Sequence, residues 1–237
     1  MIDTHLHIGQ FMEARYDPAE ILDIVLEAGV NRGMYSSTTS AEDGVHYRQV
    51  EREIAATAMR YPPEQFVPLL WYIPPYIDEE LSPKNAFAHI PYGGIKLHPR
   101  SHRWRLTDKK HLDCLHTLFG FAHERGLPVL IHTGVDSFEK PGFFAQFFGP
   151  YPNAKIILAH CRPATDTLDL FRRYPHVHGD TAFLPETDYE LIKEAGFIDR
   201  LLPGTDFPIT HYYRLEPSLT LKEQYALDLA SPALLAA

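Results

Sequence analysis

The sequence predicts an α/β protein, a (β/α)8 TIM barrel, and three observations carry that expectation. Eight short apolar runs alternate with helical or helix-like patterns, as a repeated βα unit requires. The length of 237 residues is close to the roughly 250 typical of such a barrel. Five of the eight runs carry His, Lys or Asp near their C-terminal ends, where a barrel gathers its working residues. One barrel domain is expected over 1–237, with 217–237 as a C-terminal helical segment. A doubly wound open sheet is the competing architecture; strand count and polar placement favour the barrel.

The first strand covers residues 1–9. Period two places Asp3, His5 and His7 on one face and Ile2, Leu6 and Ile8 on the other. Asp17-Pro18-Ala19-Glu20 offers an N-cap, a proline at N1 and a Glu at N3. Ile21, Ile24, Val25 and Ala28 follow at helical spacing, and Gly29 stops that helix. A second strand spans 32–36, and a helix over 45–60 sets Val50, Ile54 and Ala58 on one stripe. Residues 66–73 are continuously apolar, as expected of a parallel strand covered on both faces. After a short helix over 83–89, the fourth strand, 93–98, is stopped by Pro99.

Leu112, Leu115, Phe119 and Ala122 mark a helix that Gly126 ends, and 127–132 is the fifth strand. The aromatic segment 138–151 should be partly helical; its Phe138, Phe143, Phe144, Phe147 and Phe148 suit either a pocket wall or helix-to-barrel packing. The sixth strand is 155–160, followed by a helix over 165–174. The seventh strand is 178–183, then comes a helix over 186–195 ended by Gly196. The eighth strand is 201–206, and a last helix covers 218–229.

The formal charge of −9 argues against nucleic acid or an anionic membrane as partner and leaves small-molecule chemistry. Cys114 and Cys161 make no disulfide framework and read as reduced thiols. No stretch approaches the roughly 20 apolar residues of a membrane span, and no signal-like leader precedes the first strand. A cytoplasmic enzyme, alone or as a homo-oligomer, is expected.

Two neutral imidazoles side by side, as in His5-Leu6-His7, form a metal clip. With 14 His in the chain, about one His-x-His arises by chance, and His176-Val177-His178 is a second match. Singly, a strand-end His is more often a hydrogen-bonded structural residue, Asp206 before Phe-Pro could be a turn residue, and Lys96 could snorkel. Jointly, His5 and His7, Lys96 and His98, His132, His160 and Asp206 finish five strands, and that series is what a metal site needs.

Five ordered motifs carry a resemblance: the first-strand His-x-His, Gly-Ile-Lys-Leu-His-Pro at 94–99, Leu-Ile-His-Thr-Gly at 130–134, Leu-Ala-His-Cys at 158–161 and Gly-Thr-Asp-Phe-Pro at 204–208. Together they resemble the amidohydrolase superfamily, in particular its amidohydrolase-2 branch containing aminocarboxymuconate semialdehyde decarboxylase. The resemblance implies a metal-dependent hydrolase type of barrel, with His5, His7, His132 and Asp206 as metal ligands. It makes Asp206 the general base and His160 either a second-metal ligand or the group that polarises the substrate. It places Lys96 where binuclear members carry a carboxylated, metal-bridging lysine. Cys161-Arg162 departs from the small or Gly-rich turn common there, and the chain ends sooner after the eighth strand than most relatives do.

This donor set suits one or two divalent ions, Zn first, with Mn, Fe or Co as alternatives. Arg100, Arg103, Arg105 and Arg162 follow strands four and six; an Arg fork matches a carboxylate, so Arg100 and Arg162, with His98, are the expected substrate-binding residues. The expected activity is hydrolysis of a small carboxylate-bearing amide, lactone or ester. Non-oxidative decarboxylation of an unsaturated or aromatic acid is the alternative, and a non-catalytic metal-stabilised barrel is the third reading. Cys161, next to His160, has little claim as a nucleophile, because adjacent strand residues point to opposite faces.

Overall fold

The structure is a computed structural model that describes residues 1–38, 47–74, 82–213, 219–231 and 233. The expected helix start at 45–46 and positions 217, 218, 232 and 234–237 of the C-terminal segment lie outside the described residues. The strands are β1 (Ile2–Phe11), β2 (Ala14–Tyr16), β3 (Arg32–Ser37), β4 (Phe66–Trp71), β5 (Gly94–Leu97), β6 (Pro128–His132), β7 (Lys155–Ala159), β8 (Val177–Asp180) and β9 (Leu201–Leu202). β1 and β3 to β9 are the eight expected strands, each parallel to its neighbour. β2 is an addition: it folds back antiparallel on the extended end of β1, beyond Gly9.

Closure comes from β1 and the segment after β9. Thr4 N donates to Pro203 O, Asp206 N to His5 O and His7 N to Phe207 O, each at 2.8 Å, and Leu6 bridges Phe207 in parallel. The sheet is therefore a barrel and not an open doubly wound sheet. The eighth strand is shorter than expected, Leu201–Leu202 instead of 201–206. Pro203 has no N–H to give to a ladder, so the rest of the segment is held mainly by those single bonds to β1.

The helices are α1 (Pro18–Glu27), α2 (Tyr47–Arg60), α3 (Pro83–His89), α4 (Lys109–Arg125), α5 (Ala164–Arg173), α6 (Glu186–Glu194), α7 (Ile209–Tyr213) and α8 (Leu221–Leu229). Local chemistry sets their ends. Asp17 accepts from Ala19 N and Glu20 N, Asp108 from Lys110 N and His111 N, and Thr220 with Glu223 forms a capping box. Gly126 closes α4 in the left-handed region at φ 64°, where a Cβ would be strained.

Two apolar layers result. Met34, Leu69, Leu130, Ile157 and Ala159 fill the barrel interior and form a floor beneath the strand ends. A larger shell, with Leu6, Ile8, Ile95, Leu97, Ile131, Ile156 and Leu158 facing the helices, surrounds it. Phe144, Phe147 and Phe148 belong to that shell, Phe147 stacking on Phe119 of α4 at 4.9 Å, so the aromatic segment packs helix to barrel. Phe138 is exposed. Part of that segment is a 3-10 helix, Pro141–Phe147.

Asp3 does not share the face of His5 and His7. The β1–β3 register slips between Asp3 and Leu6, and the bulge turns the Asp3 carboxylate towards α8. Its Oδ1 accepts from His5 N and Thr205 N, and its Oδ2 from the hydroxyls of Thr205 (2.7 Å) and Tyr225 (3.0 Å). Burial lifts this carboxyl to about 6, against the pull of those four hydrogen bonds.

Cys161 packs on the outside of β8, where Gly179 leaves room: a Cβ there would lie 2.1 Å from Cys161 Sγ. Burial pushes the Cys161 thiol well above its ordinary range and the Cys114 thiol up to about 11. Both thiols are therefore expected to resist Ellman's reagent at pH 8 in the native protein and to react fully in guanidinium chloride, as the absorbance of released thionitrobenzoate would report. A Cβ at Gly94 would meet Leu69 Cδ2 at 2.7 Å, Pro128 Cγ at 2.8 Å and Pro128 O at 2.9 Å. Gly94→Ala should thus lower stability by about 1–3 kcal/mol in urea unfolding, the usual result of overpacking.

Candidate active site

The C-terminal strand ends open onto a cavity of about 330 Å³. His7, Lys96, His98, His132, His160, Arg162 and Asp206 line it. His5 lies behind them, fully buried. Arg100 stands outside the lining, its side chain 64% exposed and 3.4 Å from Asp136 Oδ2; Arg103 and Arg105 are exposed as well.

The seam of the barrel brings the first donors together. His5 Nε2 and His7 Nε2 are 3.1 Å apart, and Asp206 Oδ1 is 3.2 Å from the first and 2.9 Å from the second. Lys96 Nζ is 2.7 Å from His5 Nε2. His5 Nδ1 must donate to Asp180 Oδ2 at 2.7 Å, because a carboxylate only accepts, and His7 Nδ1 lies 3.1 Å from Ser36 Oγ. With its proton on Nδ1, a neutral His5 turns a bare Nε2 towards His7 and Asp206. Two imidazole nitrogens and a carboxylate oxygen converging in this way could hold a divalent cation.

A second pair stands beside it. His132 Nδ1 is 3.1 Å from His160 Nε2, and His160 Nε2 is 3.8 Å from Asp206 Oδ2. His132 thus stands beside His160, and with His98 and Glu139 it forms a further group of possible metal donors. His160 Nδ1 donates to the Ala182 carbonyl at 2.9 Å, which leaves Nε2 as the lone-pair nitrogen of the neutral ring. His98 stacks on His132 at 3.8 Å with the rings 11° from parallel. Glu139 Oε1 is 3.8 Å from His132 Nε2.

Backbone conformation aims the two loop side chains. His160 and Asp206 sit just past β7 and β9 with φ of 67° and 63°, in the left-handed region that L side chains rarely adopt. Asp180 Oδ1 braces the first of these turns by accepting from His160 N (2.8 Å) and Ala182 N (3.1 Å).

Burial sets the charges. It pushes His7 down to about 4 against the pull of Asp206, and His160 to about 4 against Asp206 and Asp180, so both rings are neutral. It takes Lys96 down to about 8 although Asp206 and Asp180 pull the other way. For Asp206, burial raises the carboxyl, but the imidazoles of His5, His7 and His160 outweigh it and keep the group ionised.

Several residues here escaped the sequence reading. Asp180 did so because the seventh strand was placed at 178–183, whereas β8 ends on Asp180 itself; the strand-end rule applied at the right boundary finds it. Ser36 and Glu139 offered no pattern. The cavity's aromatic walls are Phe11, Trp71, Phe183 and Tyr213, from four separate elements or loops. His176 and His178 lie at the start of β8, away from the strand ends, and join no metal-donor group among the described residues.

Among the described residues no helix is long and apolar enough to cross a membrane. No curated protein sequence matches the chain significantly. Solved structures do share the fold. An amidohydrolase II is 18% identical with a TM-score of 0.65, over 95% of this chain and 90% of its own. A probable 2-pyrone-4,6-dicarboxylic acid hydrolase from Acinetobacter baumannii, solved with citric acid bound, is 14% identical with a TM-score of 0.62, over 99% and 94%. The apo form of Metarhizium anisopliae IDCase is 13% identical with a TM-score of 0.63, over 96% and 89%. The model of the amidohydrolase-2 family, described as amidohydrolase, matches residues 2–237. The chain therefore belongs to the amidohydrolase family and is an enzyme.

Proposed function

We propose that this enzyme hydrolyses a small carboxylate-bearing amide, lactone or ester, with a divalent ion, zinc first, held by His5, His7 and Asp206. The observation that carries the reading is the 3.1 Å approach of two imidazole Nε2 atoms around one carboxylate oxygen. The bare Nε2 of His5 and the ionised Asp206 oxygen give a divalent cation two convergent donors there, and His7 Nε2 is the third. The His132 Nδ1–His160 Nε2 pair, with Lys96 between the two groups of donors, supports a second ion. The bare Nε2 of neutral His160 favours its role as a ligand over that of a hydrogen-bond donor to substrate.

A bound divalent ion supplies Lewis acidity and brings the pKa of a water it holds to about 7. The protein's own groups do the rest. Asp206 Oδ1 lies against His5 and His7, which leaves Oδ2, 3.8 Å from His160 Nε2, to take a proton and return it to the leaving group. Arg162 lines the cavity without a direct salt bridge among the described residues, and its Nε is buried without a hydrogen bond. Its guanidinium lies 6.0 Å from the Phe183 ring centroid, which orients it, and a substrate carboxylate completes its pairing. Trp71, Phe11 and Tyr213 exclude water from the other walls. Those flat apolar walls also favour, as a second reading, decarboxylation of an unsaturated or aromatic acid.

Elemental analysis of the purified protein should give two equivalents of metal per chain, and His5→Ala and Asp206→Asn should each lose metal and activity together. Full metal content and unchanged turnover in both variants would refute the site assignment. With a panel of amides, lactones and esters, Arg162→Ala should raise KM about 10–100-fold for carboxylate-bearing members only, as expected on losing a hydrogen-bonded charge partner. Release of CO2 from acids, with no hydrolysis across the panel, would move the assignment to the decarboxylase reading.

A further inference from the structure

Asp180 is a fully buried carboxylate whose two oxygens serve different halves of the site. Oδ1 holds the backbone of the turn carrying His160, accepting from His160 N and Ala182 N. Oδ2 takes the Nδ1 proton of His5 at 2.7 Å. We infer that Asp180 is a positioning residue that fixes the tautomer of His5, holding its proton on Nδ1 so that Nε2 faces the metal donors bare; this rests on the metal-site reading above.

The reason is a competition between two carboxylates for one imidazole proton. Asp206 Oδ1 stands 3.2 Å from His5 Nε2 and, in the metal-free protein, would accept a proton carried there. A His5 protonated on Nε2 cannot ligate. Asp180 opposes that tautomer with the shorter contact, in a place that water does not reach to compete. Lys96 Nζ, 2.7 Å from the same Nε2, is a donor when protonated and works in the same direction as Asp180. Carboxylate–histidine–metal chains of this form tune metal affinity through the outer partner.

Asp180→Asn separates the two duties. The single amide oxygen of Asn would stay with His160 N and Ala182 N, which need an acceptor. The amide NH2 would then face His5 Nδ1, a donor against a donor, and the ring would move its proton to Nε2. Long-range 1H–15N NMR of the metal-free protein at pH 8 reads the tautomer directly. Wild type should show His5 protonated on Nδ1, and Asp180→Asn should show it protonated on Nε2. Competition with a chromophoric chelator should then give a Zn2+ affinity about 10–100-fold weaker in the variant.

An unchanged tautomer in the variant, or a changed tautomer with unchanged Zn2+ affinity, would overturn the inference. If Asp180→Asn fails to fold, the wild-type spectrum still decides, because Nε2–H with a bare Nδ1 there would overturn it as well. A wild type that shows the Nδ1–H tautomer and its switch in the variant yet binds no Zn2+ would leave the lock standing and sink the metal-site reading instead.

Discussion

The structure depends on the seam where β1 meets the segment after β9. Three backbone hydrogen bonds and one bridge close the barrel there, and they tie the backbones of His5 and His7 to those of Asp206 and Phe207. The same contacts that turn a curled sheet into a barrel therefore set the spacing of two imidazoles and a carboxylate. A slip of one residue at this seam would reverse the alternation of β1 and carry His5 and His7 to the helix side. Asp3 reinforces the register from outside, binding His5 N, both polar groups of Thr205 and the Tyr225 hydroxyl of α8.

Around the seam the protein concentrates polar groups where its interior is least polarisable. Burial keeps His7 and His160 neutral and lowers Lys96 to about 8, while Asp206 stays ionised through its imidazole neighbours. The outcome is a set of imidazole lone pairs with two buried carboxylates, Asp206 and Asp180, beside the single ammonium of Lys96, an arrangement that suits a cation. The apolar floor of Met34, Leu69, Leu130 and Ile157 closes the site from below.

Much of this was legible in the sequence because it follows from short-range periodicity. Strand alternation located Lys96 and His98 on one face, and apolar runs bounded by Pro or Gly located six of the eight strands closely, the seventh and eighth ending earlier than expected. Asp206 was legible as a strand-end residue although β9 stops earlier, since its position comes from the seam and not from the ladder. What stayed hidden depends on long-range register. Asp180 meets His5 175 positions away, and Ser36 meets His7 29 positions away. Asp3 shows the converse: periodicity places it on the face of His5 and His7, and a bulge removes it from that face. The pairing of His132 with His160 likewise depends on which ring nitrogen each presents, a property of tertiary packing that spacing does not encode.

Thr4 and Pro203, bonded across the seam, are 199 positions apart. A contact of that span is among the last to form when a chain folds, because nearly the whole molecule must be in place before its ends can meet. The convergence of His5, His7 and Asp206 requires that seam, so an ion that prefers the three together would stabilise the closed form. Such an ion would act as a clasp, linking two distant segments without a covalent bond. Metal supply and completion of folding would then be one equilibrium, so a metal-starved cell would hold less closed barrel as well as less active enzyme.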